Sequence, residues 1–112
     1  MPADDKAALQ DLLKAASLVL EFARGSSLEE LASNQMRLSA VLYQIIIVGE
    51  AARRLSPQVR QANPQVPWAD IIGMRSILVH EYDGVVASEV WHVIQRDLNQ
   101  LIPQLETLLQ NL

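Results

Sequence analysis

Apolar residues recur every three to four positions along almost the whole of this chain, and only 4 glycines and 5 prolines interrupt them. That spacing lines one face of a helix, and no stretch shows the sustained alternation of a half-buried strand. The chain is therefore read as all-α, a small antiparallel bundle of four to five helices. Its 112 residues, 50% of them apolar, supply one continuous core and leave no room for a second domain, so residues 1–112 are a single unit.

Local signals place the helices. The first is expected from about Asp4 to Arg24, with Leu9, Leu12, Leu13, Ala16, Leu20 and Ala23 as its stripe, ending at Gly25. Ser27 to Glu30 reads Ser-x-x-Glu, a capping box for a short helix through about Ala32. A long helix follows from about Gln35 to Leu55 and stops before Pro57, with one further turn expected before Asn63-Pro64. Pro67 suits the first position of a helix from Trp68 to about His80. Asp83-Gly84 makes a turn, and Ser88 is a cap for a last helix to about Leu109, which Pro103 should kink by withholding an N–H from the carbonyl of Asn99.

Composition excludes several classes of function. There are no cysteines, so disulfides, thiolate metal sites and cysteine nucleophiles are unavailable. The acidic start and the lack of an apolar run of roughly 18 residues argue for a cytoplasmic protein with no membrane partner. A net charge of -4 argues against a sequence-blind nucleic-acid coat, so any contact with RNA must be local. Between residues 51 and 80 the balance reverses, with Arg53, Arg54, Arg60 and Arg75 against Asp70 alone. The first three fit solvated helix ends.

Arg75 reads differently. On an ideal helix it falls at the centre of the stripe formed by Trp68, Ile71, Ile72, Leu78, Val79 and Tyr82, so it either snorkels, pairs with an acid or awaits an anion. The other side carries Ala69, Gly73, Ser76 and His80, a groove of small residues leading to a histidine whose protonated form a helix C-terminus favours. Arg75 and His80 lie about 140° apart at 100° per residue, so spacing alone does not bring them together. Glu50 is either the i,i+4 mate of Arg54, the preferred reading, or the acid that neutralises Arg75. Its helix has a second amphipathic face through Met36, Tyr43 and Ile47, which suggests a symmetric dimer.

Gly-Glu-Ala-Ala-Arg-Arg-Leu-Ser at 49–56, Val-Pro-Trp at 66–68, Ile-Ile-Gly-Met-Arg at 71–75 and Val-His-Glu-Tyr at 79–82, with Trp91 and Asp97-Leu98, together resemble the HepT-like branch of the HEPN superfamily. Arg75, His80 and Tyr82 match that family's arginine, four residues, histidine, one residue, tyrosine signature; Ser76 replaces the asparagine or other strongly polar residue usual after the arginine. The resemblance implies a homodimeric helical bundle whose two arginines and histidines share one cleft. It implies metal-independent RNA cleavage without a cofactor, with His80 moving protons and Arg75 stabilising phosphoryl charge; Ser76 and Glu50 are read as supporting residues of the same candidate site. It also implies the toxin of a HepT/MntA-type toxin–antitoxin system, silenced by a nucleotidyltransferase antitoxin that transfers AMP to Tyr82. The alternative is a non-catalytic HEPN module that binds a nucleotide or partners a nucleotidyltransferase; a plain helical interaction protein does not account for Arg75.

Overall fold

The structure, a computed structural model, describes residues 3–76 and 86–111, with side chains from 4 and from 87. Helix α1 spans Ala3–Ala23, α2 Leu28–Ser33, α3 Gln35–Arg53, α4 Pro57–Ala62 and α5 Trp68–Gly73. A last rod comprises α6 (Val86–His92), a π-helical segment (Val93–Leu98) and α7 (Asn99–Gln110). The described residues contain no strand, in keeping with the all-α reading.

Short polar residues set the boundaries. Gly25, at φ 75°, supplies the left-handed conformation that stops α1. The Ser27 hydroxyl accepts from the Glu30 amide at 3.1 Å, one half of the capping box expected there, while the Glu30 carboxylate meets the Ser27 hydroxyl. Asn34 serves two helices: its amide donates to the Glu30 carbonyl at 2.9 Å, and its side chain accepts from the Arg37 amide at 3.0 Å.

The longest packed interface joins α1 and α3. They run antiparallel, since Asp5 and Asp11 in the first half of α1 bond Ser56 and Arg54 just beyond the end of α3. Leu9, Leu12, Val19, Val41, Ile45 and Val48 are sealed between them, and the last rod adds Leu98, Leu101 and Leu105 to the same core. Apolar side chains of this size contribute about 1.5–3 kcal/mol each when fully buried. Asp5 is the exception in this core, 2% exposed. Its carboxylate accepts from the amide and hydroxyl of Ser56 at 2.8 and 2.7 Å, and so clamps α1 to the cap of α4.

Several expectations are corrected. Pro67 is the residue before α5, one position earlier than expected. The helix from Trp68 does not hold α-geometry to His80: it ends at Gly73 and tightens into a 3-10 turn over residues 74–76. Ser88 lies within α6 rather than capping it. Pro103 sits inside α7, and a π-helical segment lies upstream of it over Val93–Leu98, in place of the expected α-geometry.

Candidate functional site

Two helices bring the candidate residues together. The crossing of α3 over α5 is so close that a Cβ on Gly49 would lie 3.1 Å from the Arg75 amide nitrogen and 3.1 Å from the Ile72 carbonyl oxygen. Only glycine admits that approach without a shift. The backbone carrying Arg75 therefore rests directly on α3, one residue before Glu50.

From that seat the Arg75 guanidinium reaches the Glu50 carboxylate, with Nη1 to Oε1 at 2.9 Å. The two side chains are 42% and 49% exposed, so the pair is wet and screened rather than buried. This settles the two readings of Glu50 against the preferred one. Arg54 turns instead to Asp11 on α1, at 2.8 Å. The core-facing direction expected of Arg75 is also corrected. The α-helix ends at Gly73, and in the 3-10 turn that follows Met74 is buried while Arg75 is exposed.

The Ser76 hydroxyl donates to the Gly73 carbonyl at 2.7 Å, three residues back, and so closes the turn that carries Arg75. His80 and Tyr82 lie outside the described residues. The structure thus brings Arg75, Ser76 and Glu50 into one neighbourhood, while the arginine–histidine geometry is not described.

Of the groove expected along Ala69, Gly73, Ser76 and His80, Ala69 and Gly73 line a hollow of about 720 Å³ together with Met74; Ser76 is not among its lining residues, and His80 lies outside the described residues. Space beside Gly73 is open: a methyl group added there would meet no atom within 4 Å. The opposite wall of the groove is the rod around the π-helical segment, which presents His92 and Arg96. Neither was singled out from sequence; their four-residue spacing on a helix was the available signal. The outer face of α3 is exposed at Met36 (84%) and Tyr43 (61%). Between α3 and α1 it borders a second groove of about 560 Å³, lined by Tyr43, Ile47 and Glu50 among others.

Among the described residues no group of three or more histidine, aspartate or glutamate side chains is arranged to hold a metal ion. No described helix is long and apolar enough to cross a membrane.

Residues 12–108 match the family described as ribonuclease HepT-like. The chain is 34% identical over 103 residues to "Putative RNase MJ1380" of Methanocaldococcus jannaschii, covering 92% of this chain and 94% of that protein. It is 31% identical over 102 residues to "Putative RNase TTE0752" of Caldanaerobacter subterraneus subsp. tengcongensis, covering 91% of each. To "Probable ribonuclease HepT" of Thermococcus cleftensis it is 29% identical over 100 residues, covering 89% of this chain and 91% of that protein. No solved structure matches.

Proposed function

The chain belongs to the HepT-like ribonuclease family, and we propose on that basis that it is a metal-independent endoribonuclease whose reaction rests on Arg75 and His80. The observation that carries this reading is Arg75 itself: a permanent cation on a tight turn, half exposed, and tethered by Glu50 at 2.9 Å. A guanidinium so held is suited to meet a phosphate.

In the proposed reaction the ribose 2'-hydroxyl attacks the adjacent phosphorus. Its proton passes to a base, the O2'–P bond forms, the P–O5' bond breaks, and the departing 5'-oxygen takes a proton. His80 handles these proton transfers, and Arg75 offsets the charge that builds on the non-bridging oxygens. The nucleophile comes from the substrate, so the chemistry calls for no metal-activated water. A homodimer in which the two copies face each other would place both arginines and histidines in one cleft. The protein would then be the toxin of a toxin–antitoxin pair, restrained by a nucleotidyltransferase that places AMP on Tyr82.

The test is the chemistry of the ends. Cleavage of a short single-stranded RNA should leave a 2',3'-cyclic phosphate and a 5'-hydroxyl, persist in EDTA, and stop at a nucleotide made 2'-deoxy. Cleavage that continues at the deoxy position contradicts the mechanism.

One observation favours a second reading. Ser76 spends its hydroxyl on the Gly73 carbonyl, so the position after the arginine contributes less to a substrate than asparagine would. A non-catalytic module that holds phosphate or a nucleotidyltransferase would bind RNA or partner and leave the RNA intact.

A further inference from the structure

The geometry points to Gly49 and Glu50 as one positioning device for Arg75, with Gly49 fixing where its backbone sits and Glu50 fixing where its guanidinium points. This inference rests on the ribonuclease reading above and adds to it the residues that hold the arginine in place.

Two independent observations support it. A methyl group on Gly49 would sit 3.1 Å from the Arg75 nitrogen and 3.3 Å from the Ile71 carbonyl oxygen, and these neighbours are backbone, which yields only by moving the whole turn. The next residue of α3 supplies the carboxylate that takes Arg75 Nη1 at 2.9 Å. Consecutive residues therefore constrain the two ends of the same side chain. An arginine on a 3-10 turn has many rotamers to explore, and a fixed acceptor at its tip removes much of that freedom before substrate arrives. Glu50 touches neither phosphate nor leaving group; it acts through Arg75.

Simple electrostatics makes the opposite forecast. A carboxylate beside the binding place of a polyanion repels it, so its removal should tighten RNA binding and cost nothing in turnover. Positioning predicts instead that turnover falls.

The experiment is steady-state cleavage of a fluorophore–quencher RNA of mixed sequence by the full chain. Glu50→Ala should lower kcat about threefold, the scale that a half-exposed ion pair can hold in place, with KM unchanged or lower. Glu50→Gln, which keeps an acceptor oxygen, should recover part of that loss. Gly49→Ala should reduce kcat similarly, and Asp11→Asn, which breaks the exposed pair with Arg54, should leave kcat at the wild-type value. A Glu50→Ala enzyme with wild-type or higher kcat overturns the inference. If Gly49→Ala does not fold, the Glu50 series decides. If wild-type protein does not cleave RNA, the ribonuclease reading fails separately, and the side-chain nitrogen NMR signals of Arg75, assigned with Arg75→Lys, then decide. Resolved Nη signals that collapse in Glu50→Ala but persist in Asp11→Asn support positioning; signals unaltered by Glu50→Ala overturn it.

Discussion

Arg75 on the turn after α5 meets Glu50 on α3 at 2.9 Å, and Gly49 beside Glu50 lets the two backbones touch. The ion pair is thus a product of tertiary packing, not of helical spacing. Being about half exposed, it should add little to stability. A double-mutant cycle with Glu50→Ala and Arg75→Ala in urea should give a coupling below about 1 kcal/mol that shrinks as salt rises.

Asp5 should behave differently. It is buried and bonded twice to Ser56, so Asp5→Ala removes the acceptor of both the amide and the hydroxyl of Ser56 at a part-buried site. A loss of about 2–3 kcal/mol in urea denaturation is expected, well above that of the exposed Asp11→Ala. Equal losses for the two would contradict the clamp between α1 and α4.

Much of the fold was legible because its signals are local. Gly25 and Ser27 act within four residues of the helix ends they shape, and a periodic apolar stripe needs no knowledge of what covers it. The candidate site was less so. The i,i+4 rule paired Glu50 with Arg54, but both side chains found partners on other helices, at Arg75 and Asp11. An ideal α-helix carried on to His80 pointed Arg75 inward, but the α-helix ends at Gly73, and beyond it Met74 is buried and Arg75 exposed. Gly49, in the middle of an apolar helical run, was the one local sign of the close crossing.

Self-association is testable at the groove beside Ala69 and Gly73. Light scattering should give twice the 12.5 kDa chain mass. Gly73→Arg should fold, since the position faces open space, and should shift the protein to monomer. A Gly73→Arg protein that stays dimeric would move the interface elsewhere, with the exposed Met36 and Tyr43 face of α3 next in line.

Regulation is testable at Tyr82. With a cognate nucleotidyltransferase and ATP, wild-type protein should gain the mass of one or more AMP groups and lose cleavage, because in the proposed mechanism an added phosphate would compete with RNA for Arg75 and His80. Tyr82→Phe should gain no mass and stay active. Modification at Tyr43, or silencing without added mass, would favour inhibition by binding alone.

The decisive measurement is single-turnover cleavage of a short single-stranded RNA by wild type, Arg75→Ala and His80→Ala, each verified as folded by circular dichroism. Each substitution should lower the rate by about 10²-fold or more, the order associated with losing a proton-transfer group or a charge-stabilising donor. A folded Arg75→Ala or His80→Ala protein that cleaves at the wild-type rate would contradict the assignment of these two residues as the catalytic pair.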